Sequence, residues 1–398
     1  MPLQVKIQQG LVDKYIAVVE INSTNWWGIA VHRLLGLDLL RFITAVAVMI
    51  FHLAFWSWAI PGSTPGQVVR GAVSFENLVA YSWWGKYGVD IFFVISGFII
   101  AYSAANRSLG EFFRSRFLRL FPAAFVCATL TLLIAGIMQL WPEPQLWDRY
   151  FRSITFWPYG PWIDGVYWTL GIEISFYLFV SLFIAIKRFT WLEYGTWILG
   201  GISAAFIFAR IFLATNWVGE MGLSARTGQL LLVYHGSSFA LGTTLWFLSS
   251  KGITLPRIAL LLVCILSSSS SIYLDARGII GVTKISASAL TPVLVFLGAI
   301  IALGLSIWFD KSISLRMSPR VANLIRTAGL STYPLYLIHD VVGAYMLRQL
   351  VSAGLNQYIA LVTTVVIVVA VSMTALLVAE DALRGYLGQR LWRKHKHA

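Results

Sequence analysis

Apolar and polar positions alternate along this chain in long blocks, with apolar stretches separated by short polar connections. A helix needs about 20 mostly apolar residues to cross a bilayer. Ser267 to Ser271 interrupt the seventh stretch, but serine hydroxyls can bond to helix carbonyls and leave a helix intact. The pattern therefore predicts an all-α polytopic membrane protein with ten transmembrane helices, at residues 37–58, 88–105, 120–141, 166–185, 194–214, 229–249, 257–274, 289–309, 330–348 and 358–379.

The composition supports a membrane protein. Of the 398 residues, 58% are hydrophobic and 12% are charged, whereas a soluble domain is about 25% charged. Cys127 and Cys264 both lie in apolar stretches, so they form neither a disulfide framework nor a metal-binding pattern. The net charge of +13 would favour nucleic acid in a soluble protein, but lysines and arginines retained on the cytoplasmic side explain it here.

The distribution of basic residues predicts the orientation. If both termini are cytoplasmic, 20 of the 30 lysines and arginines lie in cytoplasmic segments and 8 in outer segments. This excess of positive charge inside predicts that both termini are cytoplasmic. The predicted organisation is a polar N-terminal segment (1–36), a membrane domain (37–379) and a basic tail (380–398).

Two ionisable residues in the first predicted span point to a site. Arg41 and His52 are eleven residues apart, which on a helix is about three turns plus ~20°, so they share a face about 16 Å apart. A cation near the cytoplasmic end and a deep imidazole suit a long anionic substrate such as acyl-coenzyme A. Alternatively, Arg41 extends toward the membrane surface or pairs with Asp38.

Acidic residues in other spans are candidates to assist His52. Glu173 lies about as deep from the outer side as His52, and a carboxylate at that level could orient the imidazole for general-base catalysis. An interhelical hydrogen bond is the structural alternative. Asp90 could also contact His52, although an acidic residue in the first turn of a helix is common. His339 could line a donor tunnel, hold an interhelical bond or join the catalytic group.

Arginines and aromatic residues mark two further segments. Arg116 and Arg119 are three residues apart, so on a helix they share a face and could bind phosphate; a topology signal or attraction to anionic lipid is the alternative. The predicted outer loop 142–165 is rich in Trp, Tyr and Pro. It fits either an interfacial aromatic belt or a platform on which sugar rings stack.

Five segments with chemically distinctive residues follow one another along the chain: LDLLRFITAVAVMIFH, YGVDIFFVISGFII, FRSRFLRLFP, WTLGIEISFYL and STYPLYLIH. Taken in this order they resemble the acyltransferase-3 family of ten-span bacterial membrane acyltransferases, over about residues 36 to 380.

The resemblance implies roles for residues at matching positions. It maps the family's Arg-x10-His pair to Arg41 and His52, with His52 catalytic. It also maps the Arg-x-x-Arg motif to Arg116 and Arg119 and the family's glutamate to Glu173, so that the predicted site has His52 and Glu173 as catalytic residues and the three arginines at the donor. Further candidates for a supporting role are Asp90, Trp168, Tyr336 and His339. Where many members have glutamine two residues after the glutamate, this chain has Ser175.

By this resemblance the protein is expected to be an O-acyltransferase of the bacterial inner membrane. It would move an acyl group, expected to be acetyl, from cytoplasmic acyl-CoA to a hydroxyl of a surface or lipid-linked glycan at the outer face. Acyl-CoA is expected as a donor substrate, with no tightly bound cofactor, metal or nucleic acid. His52 could act as a general base or carry the acyl group.

Two alternatives remain at this stage. The acceptor could be a small glycosylated molecule, such as a macrolide or a lipo-oligosaccharide signal. The protein could instead be a transporter in which buried Arg, His and Glu form a relay. A transporter more often shows an internal repeat and broken helices, and neither is clear in this sequence.

Overall fold

The structure is a computed structural model that describes residues 34–375. Within this range the ordered elements are helices and no strand is present. The predicted tail 380–398 and all but the last three residues of the predicted segment 1–36 lie outside the described residues.

The first half of the bundle contains α1 (Leu35–Phe51), a π turn (His52–Trp56), α2 (Ser57–Ala59), α3 (Thr64–Val69), a 3₁₀ turn (Glu76–Leu78), α4 (Val79–Ser82), a 3₁₀ turn (Trp83–Tyr87), α5 (Gly88–Ala104), α6 (Leu109–Ile137), α7 (Glu143–Ile154), a 3₁₀ turn (Gly165–Tyr167) and α8 (Trp168–Ala185). The second half contains a 3₁₀ turn (Phe189–Trp191), α9 (Leu192–Phe212), α10 (Trp217–Glu220), α11 (Ala225–Leu230), α12 (Gly236–Lys251), α13 (Leu255–Thr283), α14 (Leu290–Arg316), α15 (Pro319–Ile338), α16 (Val341–Ser352) and α17 (Gln357–Ala375).

The described chain is an all-α polytopic membrane protein, as the sequence predicts. Eight helical segments are long and apolar enough to cross a bilayer: Leu35–Ala59, Glu76–Ala104, Leu109–Ile137, Gly165–Ala185, Phe189–Phe212, Leu255–Thr283, Leu290–Asp310 and Gln357–Thr374. The other two predicted spans correspond to α12, which has 16 residues, and to α15, whose first turns carry Arg320 and Arg326. The serine run does not break α13, because Ser267 and Ser268 bond to Ser237 and Ser238 of α12 at 2.8 and 3.1 Å.

Some consecutive long helices are joined by short connections, such as residues 105–108, 252–254 and 317–318, and others by longer segments that contain short helices, such as residues 60–87, 138–167 and 213–235. We call the end of the bundle where α1 begins the proximal end, and the opposite end the distal end. Polar contacts tie the distal segments together: Gln357 accepts a hydrogen bond from the Ser74 amide at 3.1 Å, and Arg70 donates to the Met138 carbonyl at 2.9 Å.

Helix α6 begins earlier than predicted. A capping box between Ser108 and Glu111 starts the helix at Leu109, eleven residues before the predicted span. The sequence pattern predicts a later start because the arginines in this stretch resemble a polar connection. Arg116 and Arg119 consequently lie on the helix itself.

Helix α15 also begins before the span predicted at 330–348. The Ser318 hydroxyl accepts a hydrogen bond from the Val321 amide at 3.4 Å and caps the helix, which starts at Pro319. Proline suits this first helical position, because its missing N–H would have no partner within the helix.

The predicted span 330–348 is divided between two helices. The chain turns at His339 and Asp340, between α15 and α16. At this point the Val341 amide donates to the Asp164 carboxylate at 3.2 Å instead of continuing the helical hydrogen-bond ladder. This side-chain acceptor comes from a distant segment, so the local sequence pattern does not show it.

Helices α5 and α12 approach each other closely at two glycines. A Cβ on Gly242 would overlap the Val94 carbonyl, and a Cβ on Gly97 would overlap the Phe239 carbonyl. Small residues at helix contacts in membranes allow such backbone approach. Thr243 adds a hydrogen bond to the Gly97 carbonyl at 3.3 Å.

We therefore expect Gly242→Ala to destabilise the protein by about 1–3 kcal/mol, the usual range for overpacking, and to lower its melting temperature in detergent. Gly298→Ala on α14 is the matched control, because no atom lies within 4 Å of its added Cβ. Alanine there should leave the melting temperature unchanged or raise it, since it favours a helix by up to about 1 kcal/mol over glycine. Equal melting temperatures for the two variants would contradict the close approach of α5 and α12.

Candidate active site

His52 is the first residue of a π turn within the first membrane-spanning segment. A π turn contains one extra residue and often marks a functional site. The α-helix resumes at Ser57, and the side chains of Ser57 and Trp58 donate hydrogen bonds to the Leu53 and Ala54 carbonyls of the π turn. The extra residue changes the direction of every side chain after His52, which a regular helical repeat does not predict.

The side chain that contacts the His52 imidazole is His339. Nε2 of His339 lies 3.0 Å from Nδ1 of His52, and the same Nδ1 lies 2.9 Å from the Val48 carbonyl oxygen. Nδ1 of His339 faces the Leu335 carbonyl at 3.3 Å, and its side chain is fully buried. The sequence left three roles open for His339. The structure shows one of them, an interhelical hydrogen bond, and its partner is His52.

A cavity that is partly open to the surface lies between α1, α5, α6, α8 and α15. Three arginines and one glutamate line it: Arg41, Arg116, Arg119 and Glu173. Its other polar lining residues are Ser96, Thr169, Thr332, Tyr333 and Tyr336. The cavity thus brings together the arginines that the sequence proposed for donor binding, although they come from two different helices.

Arg116 is held in place on several sides. Its guanidinium donates a hydrogen bond to the Ser103 hydroxyl and lies over the rings of Phe112 and Tyr177, at 5.5 and 5.6 Å from their centroids. Only 7% of the residue is exposed. A guanidinium held in this way can bind an anion in a fixed orientation.

Glu173 belongs to the arginine cluster. Its Oε1 accepts a hydrogen bond from the Tyr177 hydroxyl at 2.6 Å, and its carboxylate interacts electrostatically with Arg41 and Arg116. In the described part of the chain, the hydrogen bonds of His52 go to Val48 and His339 and none goes to Glu173. The predicted orientation of His52 by Glu173 is therefore not what the structure shows. Equal depth in the membrane did not place the two side chains together.

Tyr336 connects the cavity to the histidine pair. Its ring lines the cavity and lies 5.6 Å from the His339 ring. Its hydroxyl accepts from Thr169 at 3.2 Å and donates to the Val166 carbonyl at 3.4 Å. The cavity therefore extends from the arginine cluster to the immediate neighbour of the two histidines.

Comparison with known proteins identifies the family. Residues 34–379 match the family described as an acyltransferase domain, which is most of the chain. The chain belongs to the acyltransferase-3 family. The resemblance seen in the sequence motifs is thereby confirmed.

Two relatives of this acyltransferase-3 protein are nodulation protein 10 of Rhizobium leguminosarum bv. viciae and acyltransferase MdmB of Streptomyces mycarofaciens. The chain is 29% identical to the first over 255 residues, covering 54% of this chain and 64% of that protein. It is 29% identical to the second over 189 residues, covering 44% of this chain and 45% of that protein. The chain thus spans less than two thirds of each relative, and no solved structure matches it.

Two of the predicted supporting residues of this acyltransferase-3 domain, Trp168 and Asp90, lie next to His235. Trp168 packs against Phe93, a cavity residue, with ring centroids 6.4 Å apart. Asp90 faces His235, with 3.8 Å between Oδ1 and Nδ1. Asp90 therefore has a histidine neighbour, but it is His235 of the turn before α12 and not His52.

A pair of buried carboxyl groups beside His339 was missed at the sequence level. Asp340 is hydrogen-bonded to Asp164, and both side chains are almost completely buried. Asp164 also accepts from the amides of Val166 and Val341 at 3.1 and 3.2 Å. These amides favour the ionised form of Asp164, so Asp340 holds the proton of the pair. Burial nevertheless raises the pKa of Asp164 above its ordinary value, and both carboxyls cannot ionise side by side.

The proton held by this pair makes stability depend on pH. Above about pH 4 both carboxyls are ionised in the unfolded chain, so the folded protein binds one more proton and loses stability as the pH rises. Asp340→Asn supplies an N–H donor to Asp164 without a titrating proton. We expect the melting temperature of this variant to fall less between pH 5 and pH 8 than that of the wild type.

The control for this prediction is Asp148→Asn on the surface of α7, where Asp148 pairs with Arg152 at 2.7 Å. It should leave the dependence of the melting temperature on pH as in the wild type. An unchanged pH dependence in Asp340→Asn would show that the pair holds no shared proton.

Proposed function

We propose that this protein is an acyl-CoA-dependent O-acyltransferase that transfers an acyl group, in the simplest case acetyl, to a hydroxyl of a glycan. The observation that supports this best is the cavity, which joins an arginine cluster to the His52–His339 pair through Tyr336. One end of it suits an anionic nucleotide, and the other end suits proton transfer.

The donor would bind with its phosphates at Arg41, Arg116 and Arg119. Guanidinium groups recognise phosphate oxygens through paired, charge-assisted hydrogen bonds. Along a helix Arg41 and His52 are about 16 Å apart, a span that the pantetheine arm can bridge with its thioester toward His52. Glu173 offsets part of the arginine charge before the donor binds. The proximal end would face the cytoplasm, with the protein in the bacterial inner membrane.

His52 would act on the acceptor hydroxyl. As a general base it takes the hydroxyl proton while the oxygen bonds to the thioester carbon, the carbon–sulfur bond breaks, and the proton passes to the CoA thiolate. As a nucleophile it would first accept the acyl group and then pass it to the hydroxyl. Both routes need an unprotonated ring nitrogen that faces the reacting atoms.

The acceptor would approach from the distal end, where α7 and the segment after it present aromatic rings. Trp147, Phe151, Trp157 and Tyr159 are exposed there. The segment is held in position by Arg149, which donates to the Trp162 carbonyl at 3.1 Å, and by Arg226, which lies 4.9 Å from the Trp162 ring centroid. Aromatic faces of this kind can stack on sugar rings.

A smaller glycosylated acceptor is the alternative within the same chemistry. The observation that favours it is the similarity to nodulation protein 10 and to acyltransferase MdmB. The acyl donor and the chemistry at His52 would be unchanged, so acceptor panels separate the two proposals.

The first test of this function uses the purified protein with a panel of labelled acyl-CoAs, in which thioester cleavage and acyl transfer to glycan fractions are measured. We expect turnover by the wild type, and loss of turnover with retained CoA binding in His52→Ala. Turnover that survives in His52→Ala would remove His52 from catalysis. If the wild type binds no acyl-CoA, the transferase proposal fails and a transporter relay becomes the better account.

Removing one guanidinium from the cavity tests the donor site. We expect Arg116→Ala to raise the KM for acyl-CoA by about 10-fold or more, since a hydrogen bond to a charged group contributes about 1.5–3 kcal/mol, and to change kcat less. Arg320→Gln, an exposed arginine near the start of α15, should leave both constants unchanged. Equal KM values for the two variants would exclude Arg116 from donor binding.

A further inference from the structure

We propose that His339 is a positioning residue that holds His52 in the tautomer protonated on Nδ1, which leaves Nε2 of His52 free to act on the substrate. This inference deepens the proposed function and rests on it. It derives from the hydrogen-bonding groups of His52, which is partly buried, and of the buried residues His339, Val48 and Leu335. Only one assignment of hydrogens gives every contact among these groups both a donor and an acceptor.

The chain of hydrogen bonds begins at the Leu335 carbonyl. A carbonyl only accepts, and Nδ1 of His339 faces it at 3.3 Å, so this nitrogen must carry a hydrogen. In a neutral imidazole the other nitrogen is then an acceptor. Nε2 of His339 therefore presents a lone pair toward His52.

The hydrogen between the two rings then comes from His52. Its Nδ1 lies between Nε2 of His339 at 3.0 Å and the Val48 carbonyl at 2.9 Å. Both are acceptors, so a hydrogen on Nδ1 serves both, and the neutral ring has its free lone pair on Nε2. Because the second nitrogen of a histidine is often fixed by such a partner, the partner decides which nitrogen reacts.

The opposite assignment leaves two mismatched contacts. If Nε2 of His339 donated to His52, its own Nδ1 lone pair would face the Leu335 carbonyl. The lone pair of His52 would at the same time face the Val48 carbonyl. His339 is fully buried, and a buried acceptor without a donor is unfavourable.

His339 also contributes after proton transfer. When Nε2 of His52 takes the proton of the acceptor hydroxyl, the ring becomes a cation whose Nδ1–H still points to two acceptors. A neutral imidazole in this position stabilises the cation and keeps the ring in one orientation. Loss of the His339 imidazole should therefore lower kcat and leave donor binding unchanged.

The test compares His339→Phe with His339→Gln. Phenylalanine keeps a ring but has no acceptor, whereas the glutamine Oε1 can occupy the place of Nε2. We expect His339→Phe to lower kcat by at least about 10-fold, up to the roughly 10²–10⁴-fold that general-base catalysis supplies, with the KM for acyl-CoA unchanged. His339→Gln should recover most of the lost kcat. Equal losses in the two variants, or a rise in KM that accounts for the loss, would overturn the proposal.

A second measurement reads the tautomer from the wild type and does not depend on turnover. ¹⁵N-histidine NMR of the wild type, with the His52 signals assigned by their loss in His52→Ala, reports which nitrogen carries the hydrogen. We expect Nδ1–H for His52 in the neutral protein. A signal from Nε2–H would overturn the tautomer assignment even if acyl transfer is found, whereas Nδ1–H without any acyl-CoA turnover would count against the proposed function alone.

Discussion

Placing ionisable side chains inside an apolar helical bundle is the constraint on which this structure depends. Such groups are costly in a membrane unless partners surround them. Arg116 meets this requirement through Ser103, Phe112 and Tyr177, and Glu173 through Tyr177 and nearby arginines. The helices that supply these partners enclose the cavity, so the packing that satisfies the charges also builds the site.

The same requirement shapes the reactive end of the site. His52, His339 and the Val48 and Leu335 carbonyls match donors to acceptors without any charge. Beside them, Asp164 and Asp340 share a proton and fix the turn between α15 and α16, which positions His339. Tyr336, which lines the cavity beside the arginine cluster, lies 5.6 Å from the ring of His339 and links the cavity to the histidine pair.

Much of this arrangement could be predicted from the sequence. Apolar stretches indicated the helices, and the positions of Arg41, Arg116 and Arg119 indicated a cluster of cations. Depth along a span does not show which way a side chain points. The sequence therefore predicts that Glu173 pairs with His52, whereas the structure shows the Glu173 carboxylate bonded to Tyr177. The contact between His52 and His339 joins residues 287 positions apart in the sequence. A local sequence pattern therefore does not predict this contact, nor the π turn at His52 that accompanies it.

In the proposed function, one cavity holds the phosphates of acyl-CoA at the arginines and presents the acyl group to His52. The most direct measurement is an experimental structure of the wild-type protein bound to a thioether analogue of acyl-CoA that cannot be cleaved. We expect phosphates in contact with Arg41, Arg116 or Arg119 and an acyl carbon on the Nε2 side of His52. The separation should be about 3–3.5 Å if His52 is the nucleophile, and larger by the width of the acceptor hydroxyl if His52 is a general base. An analogue bound outside this cavity, or with its acyl group directed away from His52, would contradict it.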